Sequence, residues 1–376
     1  MKKNLFYISL AALALVACSE NEMQNPSEFE TAIGFETFAQ KATRGADNSG
    51  STASGDLSNY HQTFVVNGYK QIASDAPVWV FENQTVNYAS ADGNWSYKPL
   101  RFWDKSASGY FFYAAAPQNS SWGFDKTTKK YTFSNLTLTG ESIASSDAIN
   151  SAAIFGNYDL MLAHDVQGYN AYNSNPVNLE FDHILSRFNI GVRMSDNVDP
   201  DEVAITLNEI GLFNMVNKGS FDEAASSGDA LKAGTDERWT KEGKFAASAS
   251  IGYKENLKLD KDYCFVYQAL FIPQQIEDDA LLELDGSNKA SYEKAYLYIN
   301  YTLTTKDEND EDVSEGFKYY YNLAHLFNGS TKSDNVAFNE GWQNVLYITI
   351  DPLAINFDGK VYEWDYAASG DATIPE

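Results

Sequence analysis

Cysteine is nearly absent from this chain: two residues in 376, Cys18 and Cys264. Disulfides therefore do not hold the fold together, even in an oxidising compartment. Cys264 lies in the apolar run Tyr263, Cys264, Phe265, Val266, Tyr267 and reads as a buried small side chain. Basic charge is scarce too. Against 52 Asp and Glu stand 27 Lys and Arg, a net charge of −25. This argues against nucleic acid or an anionic membrane surface as a partner, because both need basic patches. There are four histidines, His61, His164, His183 and His325, and no two have the spacing of a zinc site. His183, in Phe181-Asp182-His183-Ile184-Leu185, reads as structural. No P-loop, G-x-S-x-G or G-x-G-x-x-G occurs in a strand-turn-helix setting. Among the many carboxylates nothing singles out a glycosidase pair. The acidic run 307–312 fails the calcium-loop template, with Asp312 at its glycine position and Lys318 at its final glutamate position, and reads as a solvated hairpin tip. No catalytic residue, metal site or cofactor is assigned.

After the first residues there is also no long apolar run. The one at the start, residues 5–16, follows Lys2 and Lys3 and ends in Leu15, Val16, Ala17 and Cys18. It is too short for a permanent membrane span. Small residues before a cysteine suit a lipoprotein signal peptidase, so residues 1–17 are expected to be removed and Cys18 lipidated. The alternative is a plain secretory signal with an incidental cysteine. Losing Lys2 and Lys3 leaves 25 basic against 52 acidic side chains, a charge of −27. Residues 18–30 are polar and acidic and read as a tether.

What the chain has in abundance is aromatics, 14%, with 24 Tyr and 23 Phe. They fall in short alternating or aromatic-rich runs: 63–66, 77–82, 110–114, 130–133, 177–181, 188–193, 263–271, 295–303, 317–321, 345–350 and 361–364. Asn-Gly or Asp-Gly pairs at 67–68, 92–93, 285–286, 328–329 and 358–359 suit two-residue hairpin turns. Helical periodicity is confined to short stretches at 183–186, 280–284 and 323–326. The pattern predicts an all-β chain of β-sandwiches with a few short helices. The turn-rich stretch 164–176 marks the expected boundary between an N-terminal domain, 59–168, and a C-terminal one, 176–376, and the acidic stretch 195–201 with Pro200 is a second candidate for it. Near the start, residues 31–39 predict a short strand with Ile33, Phe35 and Thr37 on one side. It is followed by Arg44 and Gly45, then by a Gly/Ser-rich loop over 45–58. Arg44 is the first arginine in the chain, and an extended, mobile backbone around it suits a protease cleft. An ordinary basic linker residue would look the same.

These features in this order resemble the fimbrillins, subunits of type V pili. The resemblance rests on the cysteine-ended signal with its acidic tether, the I-x-F strand and the Lys41-Ala42-Thr43-Arg44-Gly45 segment. It continues through Trp95-Ser96-Tyr97, Trp103 and Phe112-Tyr113-Ala114. Further on it takes in Asp159-Leu160-Met161, Phe181-Asp182-His183-Ile184-Leu185-Ser186-Arg187, Ile272-Pro273-Gln274 and the hairpin from Gly341-Trp342 to Trp364. It implies two tandem transthyretin-like β-sandwich domains and no enzymatic activity. It implies an outer-membrane lipoprotein precursor cut after Arg44 by an arginine-specific or trypsin-like protease. The strand 31–44 is then removed, and a strand from a neighbouring pilin subunit fills the groove. The donor is expected from the C-terminal region, within 345–364 or the tail beyond. A stalk or tip subunit serving adhesion is one reading. The other is a permanently anchored surface lipoprotein that binds a host or glycan ligand or acts as a pilus anchor.

Overall fold

The computed structural model describes residues 31–39, 57–59, 61–138, 159–165, 176–225, 238–244, 256–278, 293–328, 335–352 and 354–363. Nearly all of this is strand. The largest sheet has seven strands in the order β1 (Phe35–Ala39), β9 (Val177–His183), β8 (Met161–Asp165), β5 (Gly109–Ala116), β2 (Thr63–Gln71), β3 (Val78–Ala89) and β4 (Asn94–Ser96). Every neighbouring pair in it is antiparallel except β1 with β9. A four-stranded sheet runs β13 (Trp239–Lys244), β12 (Val216–Asp222), β7 (Lys130–Thr137) and β6 (Trp122–Asp125).

Two further four-stranded sheets follow. One is β15 (Cys264–Phe271), β10 (Ser186–Met194), β20 (Trp342–Asp351) and β21 (Ala354–Glu363), with β10 and β20 parallel. The other is β14 (Leu257–Lys258), β11 (Val203–Phe213), β17 (Tyr296–Lys306) and β18 (Asp312–Asn322). A small ribbon pairs β16 (Gln274–Ile276) with β19 (Val336–Phe338). The single α-helix among the described residues, α1 (Leu323–Asn328), is capped by Asn322, whose Oδ1 accepts from the His325 N–H at 3.0 Å. No described helix is long and apolar enough to cross a membrane.

Period-two burial explains the strands. In β9, Val177, Leu179, Phe181 and His183 are buried while Asn178, Glu180 and Asp182 are exposed. The seven-stranded sheet is apolar on both faces. Val65, Tyr69, Tyr113, Ala115 and Leu162 pack toward β6 and β7, where Phe124 meets Trp79 and Tyr113. This core continues into the two C-terminal sheets through Phe188, Ile190, Leu207, Ile299 and Ile348. The opposite face carries a separate cluster: Phe64, Val66, Phe112, Ala114, Met161, Val177, Leu179 and Phe181.

Five local expectations are corrected. Residues 183–186 are not helical: His183 ends β9 and Ser186 opens β10, and Ile184 and Leu185 are buried between them. Asn67-Gly68 is not a hairpin turn but lies inside β2, beside a break in register. There the Asn67 amide donates to Asn83 Oδ1 and the Tyr131 hydroxyl, and a Cβ on Gly68 would come within 3.0 Å of Phe112. Asp358-Gly359 likewise lies within β21, where a Cβ on the glycine would stand 2.5 Å from the Phe327 ring. Among the described pairs only Asp92-Gly93 lies in a hairpin connection, between β3 and β4, and it is the second half of a four-residue loop, 90–93, with Gly93 at φ +65°, rather than a two-residue turn. Cys264 is half-buried rather than buried, and burial still pushes its thiol up. Residues 280–286 lie outside the described residues.

Candidate functional site

The strand β1 and its approach, residues 31–34, occupy a slot with two walls. On one side β1 runs parallel to β9 in the register Phe35 to Val177, Thr37 to Leu179 and Ala39 to Phe181. On the other side, residues 31–34 pair with the segment around Arg101 to Trp103. The Ile33 N–H donates to the Arg101 carbonyl at 2.8 Å, and the Trp103 N–H donates to the Thr31 carbonyl at 3.1 Å. The Tyr97 hydroxyl closes the slot by donating to the Ile33 carbonyl at 2.7 Å. The Val177 N–H donates to the Gly34 carbonyl at 2.8 Å, so the chain passes from one wall to the other without a gap in its pairing.

The inward side chains fill the floor of the slot. Ile33 is 1% exposed, Phe35 5% and Thr37 3%. Phe35 meets four rings edge-on, those of Phe64, Phe81, Tyr97 and Phe112, at centroid distances of 5.6–5.9 Å. Burying such a side chain is worth about 1.5–3 kcal/mol, and each well-placed ring pair adds about 0.5–1.5 kcal/mol. Leu57, in a short 3₁₀ turn at Leu57–Asn59, is fully buried in the same cluster.

The slot is braced by residues that do not belong to β1. Asp104, just past the outer wall, pairs with Lys70 of β2 at 2.9 Å, with both side chains buried. Asp104 Oδ1 also accepts from the Ser106 N–H and hydroxyl, and its own N–H donates to the Tyr110 hydroxyl at 2.6 Å. Burial pushes this carboxyl up, but Lys70 and Ser106 outweigh it and hold it below the ordinary range. Behind the sheet, Glu223 accepts from Lys130 at 2.6 Å and from the Tyr131 N–H at 2.9 Å, and lies 3.1 Å from His164 Nε2. Burial opposes its ionisation, yet these partners, His164 foremost, bring its carboxyl down to about 2. At the end of β9, His183 Nδ1 lies 2.9 Å from Asp159 Oδ1, and the Asp159 carbonyl lies 2.6 Å from His61 Nε2. Both halves of that buried pair come from the motifs carrying the family resemblance, and they pin the start of β8 to the end of β9.

Ile33, Phe35 and Thr37 are thus brought together on one buried face. Cys18, Arg44 and Gly45 lie outside the described residues. Sequence reasoning missed the outer wall at 101–103, the Tyr97 clasp and the Lys70–Asp104 brace. Tyr97 and Trp103 stood in the quoted motifs, but no local pattern pairs them with residues 31–33. Among the described residues no cluster of three or more His, Cys, Asp or Glu is placed to hold a metal ion. The acidic run at 307–312 is the tip of the β17–β18 hairpin, where Asp307 Oδ1 accepts from the N–H groups of Asn309 and Glu311.

The arrangement holds a strand and places no reactive group in the slot. A strand that is parallel to its neighbour, and separated from it by some 140 residues, needs no tight turn to stay in place. The chain belongs to the fimbrillin-like family, whose sequence profile matches residues 51–364, beginning after β1. Its fold is similar to that of a fimbrial protein from Bacteroides vulgatus. The two are 16% identical with a TM-score of 0.52, and the match covers 89% of this chain and 100% of the other. A candidate cell-adhesion protein from Bacteroides uniformis is similar over 91% of this chain and 100% of its own, at 12% identity and a TM-score of 0.42. No curated protein matches the sequence at a significant level.

Proposed function

We propose that this chain is a structural subunit, stalk or tip, of a cell-surface fimbria serving adhesion. It travels to the outer membrane as a lipoprotein anchored through Cys18. An arginine-specific or trypsin-like protease cuts between Arg44 and Gly45. The cut frees the subunit from its lipid and leaves β1 held only by non-covalent contacts. β1 then gives way to a strand from the C-terminal region of another subunit, within 345–364 or the tail beyond.

The observation that carries this reading is the slot itself: a short parallel edge strand, its inward side chains buried, laid on β9, with the residues leading into it paired to the stretch at 101–103. An extended segment entering such a slot gains a backbone ladder and buries alternate side chains. Until then β1 covers an edge that would otherwise invite aggregation. The cut site follows β1 by five residues, Gln40 to Arg44, so cleavage severs the strand from the body without touching the sheet.

The test is to treat the lipidated precursor with an arginine-specific protease. The expected product is a ladder of oligomers whose subunits begin at Gly45. Arg44→Ala abolishes the ladder. If that variant assembled as well as the parent, cleavage-driven exchange would be wrong here. Intact surface protein that begins at Cys18 and never assembles would instead support the permanently anchored reading.

A further inference from the structure

Three large apolar side chains stand exposed among the described residues: Leu100, Phe102 and Val313, at 55%, 45% and 51%. Each lies beside charge, and the charges are opposite. Leu100 and Phe102 share a loop with Lys98, Arg101 and Lys105, all exposed. Val313 follows the acidic run 307–312 at the outer end of the β17–β18 hairpin, and Glu315 is exposed beside it. We infer that these two surfaces meet between copies of this chain: the loop 98–105 of one subunit docks on the outer end of the β17–β18 arm of the next. The contact rests on the reading of this chain as an assembling subunit, and it does not use the slot.

The loop holds its apolar pair outward. Residues 101–103 lie against 31–33, with Phe102 bridged to Ala32. Alternate side chains of such an extended stretch point to opposite sides. Trp103 is sealed, edge-on to Tyr110 at 4.7 Å, while Leu100 and Phe102 face water. Asp104, the one acid of the loop, is buried on Lys70, so its charge is matched inward. Lys98 and Arg101 enter no ion pair among the described residues. In a chain with 52 acidic and 27 basic side chains, this loop carries a local field opposite in sign to that of the whole.

The arm is its counterpart. Val313, Glu315 and Phe317 lie on one face of β18, opposite Thr305, Leu303 and Tyr301 of β17. Cover thins outward along that face. Tyr301 is 4% exposed and stacks on Phe317 at 5.1 Å, Leu303 and Phe317 are half-buried, and Val313 is open. β18 is also the edge of its sheet. At the tip Lys306 pairs with Asp312 at 2.8 Å, and Asp307 turns back onto N–H groups of its own loop. Glu308, Glu311 and Glu315 enter no ion pair among the described residues. Apolar surface thus stands beside unmatched carboxylates on the arm and beside unmatched cations on the loop. Loop against loop would set base on base, and arm against arm acid on acid, so neither surface suits itself. Loop on arm is the complementary combination. It is heterologous: each subunit offers its loop to one neighbour and its arm to another, which extends a row of subunits.

The test uses the full-length precursor left uncut, so that the slot stays filled. Two chains are made in a Cys264→Ser background, one with Phe102→Cys and one with Val313→Cys, carrying different tags. They are mixed at low salt with a short bis-maleimide. The expected product is a linked pair of unlike chains, in excess over either like pair and absent when either added cysteine is omitted. Lys98→Glu with Arg101→Glu in the first chain cuts that product by about tenfold, and Glu308→Lys with Glu311→Lys in the second restores it. If unlike pairs are no commoner than like pairs, or the second reversal restores nothing, the contact is overturned. If the thiol at position 102 is closed to a water-soluble maleimide in the dilute precursor, lipid or the chain's own tether covers the loop, and the assignment to a second copy is overturned. Cutting the parent at Arg44 separates this contact from strand exchange. Unlike pairs without a ladder after the cut leave the contact standing and sink exchange, whereas a ladder without unlike pairs does the reverse.

Discussion

β1 with its approach and β21 are both edge segments with an Ile-x-Phe run, at 33–35 and 355–357, yet the molecule grips them differently. β1 is held by β9, and its approach, residues 31–33, by the stretch at 101–103, with the inward side chains of both sealed. β21 pairs with β20 alone, packs against α1 through Phe327, and keeps Ile355 and Phe357 half-covered. β21, though, is continuous with β20 through a tight turn, whereas β1 is paired with a strand remote in sequence. The grip on β1 comes from packing, and the grip on β21 partly from chain connectivity. The proposed cut at Arg44 would therefore change the standing of β1 more than that of β21. Its packing would be unchanged at the moment of cleavage, but the chain would no longer tie the strand to the body.

The largest expected effect follows from that contrast. In the uncleaved chain, Phe35→Ala should lower unfolding stability by about 3–5 kcal/mol, the range for a sealed aromatic side chain. Phe357→Ala should cost roughly half as much, since a half-buried ring gives up less apolar area. Denaturant midpoints of the two variants check this. Equal losses would break the contrast.

The strand character of both regions was legible in the sequence because a period of two shows directly in which residues are apolar. Ile33, Phe35 and Thr37 alternate in sequence and in burial, and so do Val177, Leu179 and Phe181. The pairing between them was not legible. It joins residues some 140 positions apart, and nothing in either run specifies a parallel partner. The outer wall was hidden for a different reason. Residues 97–104 are held by side chains, Tyr97 to Ile33 and Lys70 to Asp104, and such contacts have no periodic signature. The Asn-Gly and Asp-Gly pairs misled because a glycine is used for two ends. It allows positive φ at Gly93, but it gives room for Phe112 at Gly68 and for Phe327 at Gly359. A dipeptide alone does not say which need it serves.

A middle-sized effect separates the regions by pH. Two buried carboxyls held below their ordinary range, Glu223 and Asp104, brace the sheet that carries β1. A carboxyl depressed in the folded state adds stability above its unfolded value, and that stability is lost as the pH falls through the folded one. For Glu223 the window runs from its ordinary 4.5 down to about 2, and the loss across it is on the order of 3 kcal/mol. Asp104 acts in the same direction below its ordinary 3.8. Acidification from pH 5 to pH 2 should therefore loosen the sheet around β1. Glu223→Gln should flatten most of that dependence in a denaturation series. An unchanged pH profile in that variant would mean the brace carries little.

The smallest effect is the sharpest probe. Tyr97→Phe removes one hydroxyl and leaves the ring beside Phe35 and Phe81, at 5.7 and 5.3 Å. Burial pushes the Tyr97 phenol above its ordinary 10, so at neutral pH it keeps its proton and donates to the Ile33 carbonyl. Losing that bond should cost about 1–2 kcal/mol, felt where the strand meets its outer wall. Amide exchange along residues 31–39 should then speed up by about five- to thirtyfold, and exchange in β21 should not move. If both strands quickened together, the hydroxyl would be supporting the whole molecule rather than one edge. If only β1 quickened, its two walls would be separable, and opening would begin at 101–103, where three hydrogen bonds hold residues 31–33.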